Sequence, residues 1–251
     1  MDIVLLAAEG ASTNIVFNAI ERDYRLRGVV IEERVPRRQF LLRRARRLGY
    51  RVVAGQILFQ SIVPPLLGKL SQRRITEIIG TCGLDTSPIP RSRVTRVPSA
   101  NSAQTRALLQ HLSPDVVVIN GTRIITAETL SAVSADFVNI HAGITPFYRG
   151  VHGGYWALAS ADPANFGVTV HQVDSGLDTG PILHQARIAT ARRDNFATYP
   201  LLQLGAAVPL LLQHLASPDR GIIAEGISES RAWSHPTLGS YLTTALRTGV
   251  W

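Results

Sequence analysis

Apolar and polar positions along the first half of the chain alternate in blocks that predict strands followed by helices. Short apolar runs predict strands at residues 3–8, 27–31, 115–119 and 137–140. Helical periodicity lies between these runs, at residues 15–21, 103–112 and 127–132. Apolar strands that alternate with helices predict an α/β fold, built on a Rossmann-like, largely parallel twisted sheet.

The second half of the chain has a different pattern. Residues 167–173 and 182–189 alternate between apolar and polar positions, which indicates strands of a mixed or antiparallel section. Residues 196–215 predict a helix that is interrupted near Pro200 and Pro209, because proline cannot donate the helical hydrogen bond.

Residues 36–80 depart from the α/β pattern and predict a helical insertion. Arginines alternate there with Phe and Leu, and an apolar run at 57–70 contains Pro64 and Pro65. We expect the two prolines to break this run, which makes a membrane-spanning helix unfavourable. The predicted organisation is a catalytic domain at 1–215 that contains the insertion. A short C-terminal extension follows at 216–251, and its aromatic residues indicate that it packs against the domain.

Composition describes a globular protein: 45% of the 251 residues are hydrophobic and 18% are charged. The net charge of +8 would suit nucleic acid, anionic lipid or a phosphorylated substrate. Lys69 is the only lysine, however, so an arginine-rich composition explains the charge equally well. The single cysteine, Cys82, and an N-terminus without a signal-peptide pattern lead us to expect a cytoplasmic protein, either free or at the inner face of the membrane.

Three polar residues form the candidate catalytic site. Asn139 and His141 stand two residues apart on a predicted strand, so both side chains face the same way at its carboxyl end. Asp178 lies in a tight loop between Gly176 and Gly180. An amide and an imidazolium can donate to the oxyanion of an acyl transfer, and a carboxylate can take the proton of the attacking amine.

These motifs resemble one family over a long segment. Asn139-Ile140-His141 resembles its Asn-x-His element, and Leu177-Asp178-Thr179-Gly180 resembles its Leu-Asp-x-Gly loop. The family is the folate-dependent formyltransferases, which include glycinamide ribonucleotide transformylase, methionyl-tRNA formyltransferase and the sugar N-formyltransferases. The resemblance is tight over residues 115–189 and looser over 1–31. It implies that Asn139 and His141 are oxyanion donors and that Asp178 is the proton acceptor.

The resemblance also implies the co-substrate, 10-formyltetrahydrofolate, and its binding residues. These are expected at two loops: Arg123, Ile124 and Ile125, and Asp174, Ser175, Gly176 and Leu177. No metal is expected, because the histidines lack a compact spacing with cysteine or carboxylate partners.

The amine acceptor is the open question. Gly10, Ser12 and Asn14 resemble the phosphate loop of glycinamide ribonucleotide transformylase, but its middle glycine is missing and Glu9 adds a negative charge. Leu201 and Leu204 stand where that enzyme has substrate-binding Gln and Glu. Methionyl-tRNA formyltransferases carry a C-terminal β-barrel, for which the residues after 215 leave no room, so no nucleic-acid partner is expected. His152 occupies the position of a helper histidine in some relatives.

An amino sugar on a nucleotide or polyprenyl-phosphate carrier is therefore the preferred small-molecule acceptor. Residues 36–70 resemble an interfacial amphipathic element, which predicts peripheral membrane contact. The alternative is a solvated helix followed by a hairpin that covers the core or forms a homodimer. For function, two alternatives stay open: a formyltransferase for glycinamide ribonucleotide or another small amine, and a non-catalytic folate- or nucleotide-binding module.

Overall fold

The strands form one large mixed sheet and one short pair. The computed structural model describes residues 1–218 and 230–251. In chain order the strands are β1 (Ile3–Ala8), β2 (Leu26–Glu32), β3 (Val94–Val97), β4 (Val116–Asn120), β5 (Asp136–His141), β6 (Tyr148–Gly150), β7 (Gly167–Gln172), β8 (Ile182–Arg187) and β9 (Arg231–Trp233). The large sheet has the order β3-β2-β1-β4-β5-β7-β8. Within this sheet the strands from β3 to β5 pair in parallel. The β5–β7 and β7–β8 pairs are antiparallel. The predicted α/β fold is confirmed, including its antiparallel section.

Helices cover both faces of this sheet. They are α1 (Ala11–Asp23), α2 (Arg37–Leu48), α3 (Tyr50–Leu70), α4 (Gln72–Thr81), α5 (Ala103–Leu112), α6 (Ala127–Leu130), α7 (Gly153–Ala159), α8 (Tyr199–Ala216) and α9 (Leu238–Thr248). Apolar residues of α1 and α8 pack on one face of the central strands, and Leu109 of α5 packs on the other. β1 is apolar throughout, and β4 is apolar as far as its last residue, Asn120, because both faces of these strands are buried.

Helix α3 of the insertion and the C-terminal helix α9 share a third apolar cluster. Phe59 of α3 is fully buried, with its ring 4.9 Å from that of Phe196 and 5.0 Å from that of Tyr241 of α9. Strand β9 pairs in parallel with β6, which places Trp233 opposite Gly150. The described part of the extension therefore packs against the domain, as its aromatic residues indicate.

The predicted break at Pro64 and Pro65 is wrong, since α3 continues through both prolines. The two prolines remove the hydrogen bonds that the carbonyls of Gln60 and Ser61 would accept. Both of these residues are exposed, so water can donate to their carbonyls instead. Val63 holds the helix in place by packing into the third cluster. Tertiary packing outweighs the local cost of the two prolines.

Helix α8 is likewise continuous, so the interruption predicted near Pro200 and Pro209 is also wrong. Pro200 lies in the first turn, where a backbone N–H has no helical partner in any case. Pro209 lies inside the helix between residues that pack on the core, among them Ala207 and Leu211.

One side of α3 remains uncovered and forms an apolar stripe of Leu58, Ile62, Leu66 and Leu70, all exposed. Their spacing of four residues places them along the same side of the helix. By length and by its mean hydropathy of 1.2, α3 could cross a membrane. Its opposite face, however, is buried in the third cluster. A segment that covers the core, the alternative given above, thus accounts for the buried face of α3. It does not account for the exposed apolar stripe.

Candidate active site

A cavity of about 640 Å³ opens at the carboxyl ends of β4 and β5, where ligands bind in open α/β sheets. Asn139 and His141 at the end of β5 line it together with Asp178, which approaches from the loop after β7. The structure therefore brings together the three residues that the sequence singles out.

His141 is buried and has an acceptor at each ring nitrogen. Its Nε2 donates to the carbonyl of Tyr148 at 2.7 Å, since a carbonyl can only accept. Its Nδ1 lies 3.3 Å from Oδ2 of Asp178. Burial lowers the pKa of His141, while the Asp178 carboxylate and the Tyr148 carbonyl oppose this shift. The net direction is downward, so the neutral ring, with its proton on Nε2, satisfies the Tyr148 carbonyl, and protonation of Nδ1 would satisfy Asp178 as well.

The backbone around Asp178 fixes the direction of its carboxylate. Asp178 adopts a left-handed conformation with φ of 52°, which is uncommon for a residue other than glycine. The backbone N–H of Gly150 donates to Oδ2 of Asp178 at 2.8 Å. A side chain at Gly180 would collide with the carbonyl of Gln172, so glycine is required where the loop returns to β8.

His171 is a fourth member of this cluster. The antiparallel register of β5 and β7 sets it opposite Asn139, whose Nδ2 lies 3.1 Å from Nε2 of His171. The same Nε2 lies 3.6 Å from Oδ1 of Asp178, and Nδ1 donates to the carbonyl of Gln172 at 2.6 Å. The ring thereby positions both the amide and the carboxylate.

The neighbours of Asp178 determine its charge. Burial alone would raise the pKa of this carboxyl, but the nearby rings of His171 and His141 and the N–H of Gly150 together lower it. Asp178 consequently stays ionised to a lower pH than an ordinary aspartate.

Replacing His171 by alanine will raise the pKa of Asp178, because the carboxylate loses a neighbouring imidazole, 3.6 Å away, that favours its charged form. The carboxyl will then take up its proton at a higher pH as the solution is acidified. Carbon-13 NMR titration of the Asp178 carboxyl measures this shift. His111→Ala, an exposed histidine on α5, is the control and should leave it unchanged. An unaltered titration in His171→Ala would show that His171 has no influence on the carboxylate.

Comparison with known proteins agrees with this geometry. Residues 85–200, which contain all four side chains, match the sequence model of a family described as formyl transferase. The predicted resemblance to the formyltransferases is confirmed. A methionyl-tRNA formyltransferase of Koribacter versatilis is 35% identical over 127 residues, which are 49% of this chain and 40% of that protein. One of Nitrosococcus oceani is 35% identical over 139 residues, 53% of this chain and 42% of that protein.

The chain spans about two fifths of the length of the curated relatives that it matches. Solved structures are similar over more of it. A Mycobacterium tuberculosis protein regarded as a sugar N-formyltransferase superposes with a TM-score of 0.59 at 16% identity, over 97% of this chain and 86% of that one. A phosphoribosylglycinamide formyltransferase of Bacillus halodurans superposes with a TM-score of 0.54 at 20% identity, over 89% of this chain and 100% of that one. At these identities the superpositions establish the formyltransferase fold.

Most residues predicted to bind folate lie at the cavity. Six of the seven line it: Arg123, Ile124, Ile125, Asp174, Gly176 and Leu177. Ser175 does not line it. Asp174 shapes the loop by accepting from the N–H of Gly176 at 3.0 Å. Arg123 is held by Glu32 at the end of β2, both through its backbone N–H at 3.0 Å and through its guanidinium at 3.4 Å. The cavity thus has two loops, one on each side, between which a flat ligand would fit.

The residues predicted to bind the acceptor divide into two groups. Ser12 and His152 line the cavity, whereas Gly10 and Asn14 do not. The amide of Asn14 turns away to the carbonyl of Thr86, at 3.5 Å. Of the three phosphate-loop residues, Ser12 alone lies at the cavity, and the phosphate-binding role of this segment stays a prediction.

Several cavity residues were not predicted from the sequence. Arg44 and Arg47 come from α2, and Trp233 and Ser234 come from the C-terminal extension. The arginine-rich pattern of α2 was visible in the sequence, but its position at the cavity was not. The extension had no motif at all, and only the pairing of β9 with β6 reveals its location.

His152 connects the cavity to the insertion at 36–80 and to the C-terminal extension. It adopts a left-handed conformation with φ of 61°, and its Nε2 lies 2.8 Å from Nδ1 of His235 in the extension. Burial, followed by the charge of His235, lowers the pKa of His152 to about 3. The carbonyl of His235 accepts from the amide of Gln56 in α3 at 2.7 Å. His152 is thus a neutral, fixed group at neutral pH.

Within residues 1–218 and 230–251, no group of three or more His, Cys, Asp or Glu side chains could hold a metal ion. Metal independence stays a prediction.

Proposed function

We propose that the chain transfers a formyl group from 10-formyltetrahydrofolate to a primary amine. The observation that carries this proposal is the convergence of Asn139, His141 and Asp178 on one cavity inside the segment that matches the formyltransferase family. The loops at Arg123–Ile125 and Asp174–Leu177 are proposed to bind the folate.

The proposed reaction proceeds through a tetrahedral intermediate. The amine attacks the formyl carbon, and the carbonyl oxygen becomes an oxyanion to which Asn139 and Nε2 of His141 donate hydrogen bonds. Asp178, held ionised by its neighbours, takes the proton that the amine must lose. Collapse of the intermediate then expels the folate nitrogen, which takes up a proton.

His141 must change one hydrogen bond to take part in this way. Its Nε2 donates to the Tyr148 carbonyl, and its Nδ1 faces Asp178. Donation to the oxyanion therefore requires the ring to turn away from Tyr148 while it retains Asp178.

An amino sugar on a nucleotide or polyprenyl-phosphate carrier is the proposed acceptor. Leu204 lines the cavity at a position where glycinamide ribonucleotide would need a polar partner, and Asn14 is engaged elsewhere. These two observations disfavour the glycinamide ribonucleotide alternative. The arginines of α2 at the cavity favour an acceptor that carries phosphate.

A panel assay tests the acceptor. The protein is mixed with 10-formyltetrahydrofolate and, in separate reactions, with nucleotide-linked amino sugars, glycinamide ribonucleotide and methionyl-tRNA. We expect tetrahydrofolate release that depends on an amino sugar. Release that depends on methionyl-tRNA or glycinamide ribonucleotide instead would refute the proposed acceptor. The methionyl-tRNA reaction is included because the curated relatives carry that name.

We further propose that the apolar stripe of α3 contacts an anionic membrane surface, at the inner face of the cytoplasmic membrane. The stripe is exposed, and α2 beside it carries several exposed arginines, among them Arg43 and Arg46. Apolar residues next to cationic ones suit the boundary between acyl chains and anionic headgroups.

Ile62→Glu combined with Leu66→Glu should abolish co-flotation with vesicles that contain anionic phospholipid, because the stripe can no longer enter the acyl region. Gln60→Glu, exposed on the other side of α3, should retain it. Equal flotation of both variants would refute the membrane contact. Loss of a dimer in size-exclusion chromatography, without any vesicle binding by the native chain, would assign the stripe to the homodimer instead.

A further inference from the structure

Two arginines of α2 meet the active-site cavity without an acidic partner. Arg44 Nε donates to Oε1 of Gln56 at 2.8 Å, but its Nη2 is buried and has no hydrogen-bond partner among the described residues. Arg47 follows one turn later, exposed at the cavity. Within residues 1–218 and 230–251, neither guanidinium has a carboxylate within ion-pair distance.

The other arginines near the cavity are already engaged. The guanidinium of Arg123 lies beside Glu32, and Arg149 donates to the carbonyl of Leu177 at 3.0 Å and to the hydroxyl of Ser230 at 2.8 Å. Of the three arginines that line the cavity, Arg123 has an acidic partner, and Arg44 and Arg47 have none among the described residues. Burial and then the charge of Arg47 lower the pKa of Arg44.

The wall next to these arginines supplies further donors. Trp233 lines the cavity and stacks on Trp156 at 4.4 Å between ring centroids, and its indole Nε1 is buried without a hydrogen-bond partner among the described residues. Ser234 lines both the cavity and the adjoining groove under Arg44 and Arg47. Buried donors without acceptors are unfavourable, and an anion would satisfy them.

We propose that Arg44 and Arg47 bind the phosphate of the amine acceptor. The inference rests on the proposed function, since the same cavity contains Asn139, His141 and Asp178. A guanidinium can form two parallel hydrogen bonds with phosphate oxygens, which fits either a pyrophosphate or a phosphate monoester.

The connections of Arg44 assign it to the acceptor and not to the folate. Gln56, which holds Arg44, also holds the carbonyl of His235, and the ring of His235 contacts His152. Arg44 is thus linked to His152, which occupies the position of a helper histidine in some relatives. The folate loops are anchored elsewhere, through Arg123 and Glu32.

Inorganic pyrophosphate is the first probe, with its dissociation constant measured on the full chain by isothermal titration calorimetry. Arg47→Glu should weaken binding by about tenfold or more, because attraction to the anion becomes repulsion. Arg46→Glu is the matched control, since it makes the same charge change one residue away and does not line the cavity. Arg47 is exposed, so its replacement should not disturb folding.

Binding that weakens equally in both variants, or native protein that does not bind pyrophosphate, would overturn the proposal. Arg44→Gln is a second variant and should also weaken binding selectively. This measurement needs no turnover, so a failure of the formyl-transfer proposal would not affect it.

Kinetics with the active acceptor tests the assignment to that substrate. Arg47→Glu should raise KM for the acceptor and leave KM for 10-formyltetrahydrofolate unchanged. A selective rise in KM for the folate would assign the arginines to its glutamate carboxylates and overturn the proposal. Competition against pyrophosphate by UDP and by farnesyl phosphate distinguishes a nucleotide carrier from a lipid carrier. Failure of both to compete would also count against the proposal.

Discussion

Replacing Asp178 by asparagine will lower the turnover number of formyl transfer by about a hundredfold or more, the scale on which single catalytic groups act. The amide has nearly the same shape but cannot accept the amine proton. It also removes the negative charge that favours the protonated ring of His141, 3.3 Å away. The effect should appear in kcat, with KM for the acceptor changed much less.

Two further variants show whether Asp178 and His141 act as a unit. His141→Ala should cause a comparable loss, and the double variant should be little worse than either single variant. Asp136→Asn is the control, because this exposed carboxylate at the start of β5 is remote from the cavity. Activity of Asp178→Asn within a factor of a few of the native value would refute its assignment as proton acceptor.

Replacing Arg74 by methionine will lower the free energy of unfolding by about 3–5 kcal/mol, the usual cost of leaving a buried charge without its partner. Arg74 of α4 forms two hydrogen bonds with the carboxylate of Asp194, at 2.7 and 3.2 Å. The Asp194 side chain is fully buried. This ion pair joins the insertion to the segment that leads into α8.

Urea denaturation followed by circular dichroism measures this loss. Arg73→Met is the matched control, because the adjacent arginine is exposed and should change stability by less than about 0.5 kcal/mol. A loss below about 1 kcal/mol in Arg74→Met would show that the insertion is not held by this pair. It would then depend mainly on the aromatic packing around Phe59.

The elements that the sequence predicts best are those whose environment is uniform. β1 and α5 are found at their predicted bounds, because a strand buried on both faces and an amphipathic helix each have an unambiguous period. β3 was missed, since its four residues include the exposed Thr95 and Arg96 and lack that pattern. The helix breaks predicted at the prolines of α3 and α8 are wrong because both helices are stabilised by packing against residues distant in sequence. Local helix propensity takes no account of such packing.

Some site residues could likewise be predicted from local sequence, and others are brought to the site only by contacts between distant parts of the chain. Asn139 and His141 could be predicted from their spacing on one strand, and Asp178 from its loop. His171 became part of the site only through the register of β7 against β5, which pairs it with Asn139. Arg44 and Trp233 reach the cavity through helix packing and strand pairing over long sequence separations, and a single sequence does not encode these contacts in any local pattern.

The most direct test of the proposed chemistry is tetrahydrofolate release from 10-formyltetrahydrofolate, followed spectrophotometrically with and without an amino-sugar acceptor. We expect tetrahydrofolate release that requires the acceptor, is matched by a stoichiometric amount of formamide product, and is slower by about a hundredfold or more in Asp178→Asn. Release at the same rate without any acceptor, or transfer that is unaffected in Asp178→Asn, would contradict it.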